Sequence, residues 1–547
     1  MKKLSVLLKK ILLNTSLLIC LASNVHSRTE KPRPQLPAPK PSFVNPVRTN
    51  PDITIIDLNS QPKTSKKNLN RAKTINARYD NKLCLAEKQI RAARLERAHE
   101  TLQNFVQQKF PNQETPIIGI ACSGGGCRAA VAALGLLQGL EDIKLLDSAA
   151  YLATLSGSTW LAASWMLKET SLQDLEIFLR KRLYKAFDPN KLKIEEILDS
   201  IWDKFSSGRQ ISLNDIWGGI LGNVFLKTPD DVSGQHSYLS DLAPTVASGE
   251  YPIPVFTSAI ANESIPYPWM EYTPFEVGST YLETWIPTSG FGKEFKNGHS
   301  TDARSEETLA YMLGLFGSAY AASVYDAIYY IHAEIAKSFG IDLPDELFTW
   351  VTGFWFGNQR IATPKVPNFT YKVNKRPMYK DKYLTLPDAG VAINLPIPAL
   401  FRRNIDIFIV CDATGGLTPE HTAMQLIQNY ADTHHIEFPD FNSNDLLKTS
   451  FSVIIDKNNE YAPIIIYVRN LTEISTLDFN YSEKEFTSVL SNVKNSVTNN
   501  ITGIQEAIKY ALQLKATGYR KKKISPKITQ LEQQTNTEIA QEKIAQA

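Results

Sequence analysis

Two successive strand–loop–helix units between Pro116 and Leu167 constrain this chain more than any other feature. The apolar run 116–121 (PIIGIA) has the length of a buried strand. It enters the loop SGGGCR at 123–128, and the apolar stretch Ala129–Leu140 (AAVAALGLLQGL) follows at helical length. A second strand-like run, Ala149–Leu155, passes through Ser156 into a helical stretch around Trp160–Leu167. Strands joined through helices return in parallel, and a parallel sheet needs helices on its faces. The run Ile405–Cys411 (IDIFIVC) is apolar enough to be another central strand of the same sheet. The pattern predicts an α/β fold.

Around these units lie helical segments. Residues 85–110 form a charged, Ala-rich helical stretch that Pro111 and Asn112 close. Aromatic-rich insertions, 172–249 and 303–369, predict a helical cap on the sheet domain. Within the second, the uncharged run Thr308–Tyr325 reaches the length of a membrane span. Its Gly314, Gly317, Ser318 and three tyrosines favour a buried or pocket-lining helix instead. The chain shows no internal repeat.

The ends carry a different composition. Residues 1–27 read as an export signal: Lys2, Lys3, Lys9 and Lys10, an apolar stretch Ile11–Ala22, then small residues at Ser23 and Ser27. An uncleaved basic N-terminus is the alternative and would leave the protein in the cytoplasm. Cys20 invites a lipid anchor, but Ile19 stands where a small residue would be needed. Seven prolines between Pro32 and Pro51 deny residues 28–84 regular hydrogen bonding and predict a disordered linker. A catalytic domain is expected over 85–519, and a polar tail with Arg520, Lys521, Lys522 and Lys523 over 520–547.

Charge and cysteine content exclude some functions. The net charge of +3 is exceeded by the four lysines of the leader, so the body is near neutral and has no electrostatic pull on nucleic acid. Five cysteines without metal-ligand spacing predict neither a disulfide framework nor a metal site.

Chemistry concentrates in the two loops. Gly124, Gly126 and Ala129 match the dinucleotide pattern G-x-G-x-x-A, but the second strand ends Thr154-Leu155-Ser156 without the acid that would hold a ribose. The phosphate-loop pattern also fails, because Cys127-Arg128 replaces Lys-Ser/Thr. What remains is a row of unencumbered backbone N–H groups at a helix start, suited to a negative oxygen. Ser156 is then followed by small neighbours, Gly157 and Ser158, at a strand-to-helix turn, as an exposed nucleophile requires. The strict G-x-S-x-G pattern is broken at Thr154 and Ser158, and a helix-capping serine is the alternative. None of the eight histidines sits in a triad-like motif. Asp388, in Leu-Pro-Asp-Ala-Gly, could act as base if burial raises its pKa, or could simply start a turn.

The segments SGGGCR (123–128), LSGSTW (155–160) and DAG (388–390) resemble the catalytic signature of group IV cytosolic phospholipase A2 and fungal phospholipase B, within the patatin-like superfamily. Similarity extends through SGRQISLNDIWGGILGNVFL (207–226), WMEYTPFEVG (269–278), LGLFGSAY (313–320), NLPIPALFRRNIDIFIVCDA (394–413) and DFNYSEKEFTSVLSNVKNSVTNNI (478–501). The resemblance implies a sheet core flanked by helices with helical cap insertions. It implies Ser156 as nucleophile, Asp388 as its sole base, and Gly124, Gly125 and Gly126 as the oxyanion loop. Arg128 would hold a substrate phosphate, with Arg402 or Arg403 nearby. Thr154 departs from the family's glycine and would strain the turn if that position needs a positive φ. Cys127 replaces a commonly larger residue. Because leader and linker fill the N-terminal region, no calcium-dependent targeting module is expected.

The sequence therefore predicts a cofactor-free, metal-free serine hydrolase acting on phospholipids or lysophospholipids at a membrane surface that it visits peripherally. The rivals are a catalytically impaired lipid-binding or effector protein, a transacylase or general carboxylesterase, and a dinucleotide-dependent oxidoreductase.

Overall fold

The computed structural model describes residues 74–518, apart from 185, 187–191, 228–233, 262–266, 320–363, 416–421 and 477. The leader, the first part of the linker and the basic tail, together with the part of the run Thr308–Tyr325 beyond Ala319, lie outside the described residues.

The chain opens with helix α1 (Leu85–Val106), whose residues Ile90, Arg94, Ala98, Leu102 and Val106 recur every four positions and form its buried face. Strand β1 (Ile118–Cys122) leads through the glycine loop into α2 (Gly126–Asp142), and β2 (Ala149–Thr154) leads through Ser156 into α3 (Gly157–Lys168). Three cap helices follow: α4 (Leu172–Leu183), α5 (Ile194–Ser206) and α6 (Leu213–Phe225). Strands β3 (Ile253–Ala259), β4 (Trp269–Tyr272), β5 (Glu276–Ser279) and β6 (Thr284–Pro287) run to one edge, and α7 (Leu309–Phe316) comes after them. Strands β7 (Ile407–Asp412), β8 (Phe451–Ile454) and β9 (Ile464–Arg469) complete the sheet, and α8 (Glu483–Thr498) and α9 (Ile501–Ala516) close the chain.

Among the described residues the main sheet has nine strands in the order β8-β9-β7-β1-β2-β3-β4-β5-β6. Its centre, β9-β7-β1-β2-β3, is parallel, with Cys122 level with both Cys411 and Thr154. The outer strands run antiparallel. All five central strands are buried along nearly their whole length, as expected for strands covered on both faces. Helix α2 packs against α8 so closely that a Cβ at Gly135 would meet the Leu490 carbonyl oxygen at 2.5 Å. Glycine is what allows that approach.

The parallel α/β core agrees with the sequence expectation, but the domain begins earlier than Cys84. Arg78 N–H donates to the Trp285 carbonyl (2.7 Å), Ala77 N–H to Gly298 (2.8 Å), and Arg78 pairs with Glu276 at 2.6 Å. These residues cover the free edge of β6, which would otherwise expose unpaired backbone groups. Composition assigned them to the linker because neither proline content nor charge reveals an edge-capping segment. No described helix is long and apolar enough to cross a membrane. The eight residues of α7 are all buried, in keeping with a core helix.

Candidate active site

The carboxyl ends of β1, β2 and β7 converge, which is where an open parallel sheet offers a crevice. The glycine loop leaves β1 with Ser123 as its anchor. Ser123 N–H donates to the Cys411 carbonyl (2.9 Å), and the Ser123 hydroxyl accepts from Ala413 N–H (2.7 Å) and donates to the Gly124 carbonyl (3.0 Å). Asn394 Nδ2 reaches the Gly124 carbonyl at 3.3 Å and the Thr414 hydroxyl at 2.9 Å. Gly125 at φ 134° and Gly126 at φ 60° adopt backbone conformations that L side chains rarely accept. This turn sets their N–H groups at the start of α2, where first-turn amides have no intrahelical acceptor.

Ser156 follows two residues after β2, at φ 50° and ψ −126°, and is the N-cap of α3 without accepting a capping bond. A positive φ on a serine costs energy and marks a strained turn. Ser158 braces it: its hydroxyl oxygen lies 2.9 Å from the Cys122 and Leu155 carbonyls and accepts from Leu155 N–H at 3.2 Å. Thr154, by contrast, is the last residue of β2, paired with Cys122 and Phe256, and is not among the positive-φ residues. The strain anticipated at Thr154 falls on Ser156 instead. The Thr154 hydroxyl lies 2.9 Å from that of Thr159, so the β-branched side chain is accommodated with a partner. A Cβ at Gly124 would sit 3.0 Å from Ser156 Cβ, so the glycine loop and the serine turn are in direct contact.

Asp388 arrives from a different direction. Its segment runs beside the end of β3, with a bridge between Asp388 and Ser258 and a bond from Ala259 N–H to the Pro387 carbonyl (2.9 Å). The carboxyl is buried, with the residue 2% exposed; it accepts from Gly390 N–H at 2.8 Å and lies by the Ser156 side chain. Burial pushes its pKa up to about 6. The Gly390 N–H bond and the nearby Ser156 hydroxyl and Ala319 N–H oppose that rise by favouring the ionised form. A carboxyl poised there is ionised at neutral pH yet basic enough to accept a proton.

Arg128 is buried and lies against the glycine loop, with one guanidinium nitrogen 3.1 Å from where a Gly125 side chain would begin. Its Nε donates to the Ala413 carbonyl (2.9 Å), Nη1 to the Ile474 carbonyl, and Nη2 to the Thr476 hydroxyl (2.6 Å). It thus joins the loop after β7 to the loop after β9. Arg402 and Arg403 are not brought to the serine. Arg403 bonds Glu87 (2.8 Å) and Glu271 (2.5 Å), and Arg402 bonds Glu271 (2.9 Å) over the Trp285 ring.

His99 bonds Thr115 and Gln103, His236 lies by Asp203, His299 bonds Asn76 and His434 stacks on Tyr430. These four are engaged away from Ser156; His26, His332 and His421 lie outside the described residues. Among the described residues, the one grouping able to offer three metal ligands is Cys84, Glu87 and Glu276. Arg78, Arg402 and Arg403 already neutralise its carboxylates, and burial pushes the Cys84 thiol up to about 11, so the set does not suit a cation. Sequence reasoning gave Ser158 only as a small neighbour and Asn394 no role, because each acts by holding other backbone in place, which no spacing records.

The comparisons with known proteins bear on this geometry. The family model for the lysophospholipase catalytic domain matches residues 118–512. Cytosolic phospholipase A2 zeta of Mus musculus is 24% identical over 79% of this chain and 61% of its own length. Cytosolic phospholipase A2 gamma of the same organism is 30% identical over 42% of this chain and 38% of its own. The solved structure of human GIVD cytosolic phospholipase A2 superposes with a TM-score of 0.68 at 20% identity, covering 80% of this chain and 66% of that one. The chain thus spans less than two thirds of the length of these relatives. Since the matched segment runs through the sheet, the serine turn and Asp388, the chain belongs to the lysophospholipase catalytic-domain family.

Proposed function

We propose that this chain is a serine acyl hydrolase that cleaves fatty-acyl esters of phospholipids or lysophospholipids through Ser156 and Asp388. The observation that carries this reading is the contact between a strained serine, at φ 50°, and a buried carboxyl whose pKa is about 6. Asp388 takes the Ser156 proton as the oxygen attacks the ester carbonyl. Gly125 and Gly126 N–H groups hold the negative oxygen, with Gly124 letting the loop approach. Asp388 returns the proton to the leaving alcohol, then takes one from water; the hydroxide attacks the acyl carbonyl, and as the fatty acid leaves Asp388 gives that proton to the Ser156 oxygen, restoring both groups. Losing one oxyanion donor typically costs about 3 kcal/mol in the barrier.

The Arg128 guanidinium, beside the loop, is the group placed to meet a substrate phosphate, exchanging its Thr476 or Ile474 bond for a phosphate oxygen. An alcohol in place of water would make the same acyl-enzyme a transacylase intermediate. Access is by transient docking at a lipid surface. Export would follow from the leader at residues 1–27, whereas the relatives are named cytosolic. Fractionating cells that express the full chain separates the two locations.

The human GIVD enzyme is described in complex with methyl gamma-linolenyl fluorophosphonate. The test is therefore to treat this protein with a fluorophosphonate and with defined phospholipids. Labelling on Ser156 and release of fatty acid, both absent in Ser156→Ala and Asp388→Asn, support the reading. Wild-type turnover in either folded variant overturns it.

A further inference from the structure

The proposed function leaves open what holds Asp388 in place, and the end of α7 answers that. Asp388 N–H donates to the Ser318 hydroxyl at 2.9 Å, in a contact where Ser318 is 6% exposed and Asp388 2%. One residue on, Ala319 N–H bonds the carboxyl itself. Asp388 therefore receives support from this segment at both its backbone and its side chain.

The same segment is fastened to the helix that carries Ser156. Trp160 Nε1 donates to the Leu313 carbonyl (3.2 Å), and a Cβ at Gly317 would lie 2.5 Å from the Trp160 ring. Trp160 sits in the first turn of α3, directly after the serine. On the other side, Trp217 Nε1 of α6 donates to the Gly317 carbonyl at 3.1 Å. Two buried indoles thus fix the last turn of α7 against α3, and Ser318 transmits that position to Asp388.

We propose that Ser318 is a positioning residue for Asp388, setting the carboxyl's distance to Ser156 through the α7–α3 contact. This rests on the Ser156–Asp388 reading above. Without the Ser318 hydroxyl, Asp388 N–H loses its acceptor and its turn loosens. The Ala319 and Gly390 N–H groups that favour the ionised carboxyl then bind it less well. A looser hold on the charged form raises the carboxyl's pKa and misplaces the base.

The experiment compares Ser318→Ala, Ser318→Cys and Ser318→Thr with wild type on a soluble nitrophenyl ester, following kcat, KM and the pH profile of kcat, with thermal melts as the measure of folding. Ser318→Ala is expected to lose tenfold or more in kcat with KM changed less than about twofold, and its acid limb should move to higher pH. Ser318→Thr, which keeps an acceptor oxygen, should recover most of kcat and the limb's position. A kcat within twofold of wild type in Ser318→Ala overturns the assignment. So does a loss that follows only the fraction of folded protein with the acid limb unmoved. Where the alanine variant does not fold, Ser318→Cys, a near-isostere and poor acceptor, takes its place under the same criteria. Ser156→Ala run alongside separates the two ideas. If it remains active the Ser–Asp reading fails, whereas an inactive Ser156→Ala beside a wild-type-like Ser318→Ala removes only the positioning role.

Discussion

Gly157 faces the Gly126 carbonyl with no space for a methyl group between them: a Cβ at residue 157 would overlap the carbonyl oxygen and lie 2.6 Å from its carbon. This is backbone against backbone, so no side chain can rotate away. The contact locks the serine turn to the glycine loop. Gly157→Ala should force the two apart, and a shift of about 1 Å between the proposed nucleophile and oxyanion donors is enough to cost about a hundredfold in rate. Esterase activity is expected to fall at least that far, with a stability loss of about 1–3 kcal/mol from overpacking. Kinetics and denaturant melts check both. Near-normal activity in Gly157→Ala would falsify the claim that this contact sets the site.

Acid should switch the site off before it unfolds the protein. Burial raises the Asp388 carboxyl to about 6, and on the proposed mechanism only the ionised form accepts the Ser156 proton. The rate should therefore rise through pH about 6 and level off above it. Stability runs the other way. Below pH about 4 the carboxyl is neutral in both folded and unfolded chains; above about 6 it is ionised in both, and the folded chain bears the desolvation cost. Asp388→Asn should thus be more stable than wild type at pH 8, by up to about 3 kcal/mol, with the advantage shrinking toward pH 4. Melting curves at both pH values test the sign.

The sheet was legible because two strand–loop–helix units leave few topologies open, and because the central strands, buried on both faces, read as continuous apolar runs. Ser156, Asp388 and the glycine loop stood out as small-residue turns at the ends of such runs. Whether Thr154 carries the strain stayed open in the sequence, which shows which residues flank the turn, not which one takes the positive φ; that residue is Ser156. The bonding roles of Ser158, Asn394 and Ser318 escaped notice for a related reason. Each acts by bonding backbone that is distant in sequence, as Ser318 does to residue 388, and nothing local records such a partner. The edge cover at Ala77 and Arg78 was equally silent.

Thr154 provides a clean control on that correction. Its backbone is ordinary strand, so Thr154→Gly should leave the serine turn intact. The variant loses the bond to Thr159 and gains unfolded-state freedom, together worth about 1–2 kcal/mol. Turnover is expected within a few-fold of wild type, with a lower melting temperature. A large gain in kcat would mean that threonine had been impairing the turn after all.

Arg128 holds three acceptors from two loops, in directions that a single ammonium group cannot match. Arg128→Lys should therefore behave much like Arg128→Ala in stability. If Arg128 meets the substrate phosphate as proposed, both should lose more activity on phospholipid than on a neutral nitrophenyl ester, which brings no phosphate. Equal losses on the two substrates would reduce Arg128 to a loop tie.

The cluster of Glu87, Glu271 and Arg403 makes a separate demand on stability. Arg403 is fully buried, bonded to Glu87 at 2.8 Å and Glu271 at 2.5 Å, and joins α1 to β4. Burial alone would raise the Glu87 carboxyl, but Arg403 and Arg402 outweigh it and hold it below its ordinary value. Replacing Arg403 with methionine removes the shared cation and leaves Glu87 buried with no charge partner bonded to it, while Glu271 keeps Arg402. Breaking one side of such a pair typically costs about 3–5 kcal/mol. The cost should depend on pH in a defined direction. In the variant the largest opposition to burial is gone and only Arg402 and Tyr151 still favour the charged form, so the Glu87 carboxyl moves up and takes a proton at milder acidity. Protonation then relieves the buried charge, so the gap between Arg403→Met and wild type is widest at pH 8 and narrows toward pH 5. The double variant Glu87→Gln with Arg403→Met should recover part of the loss at pH 8, because no buried anion remains at residue 87. A gap between wild type and Arg403→Met that stays constant from pH 5 to 8 would show that packing, and not the unpaired carboxylate, carries the cost.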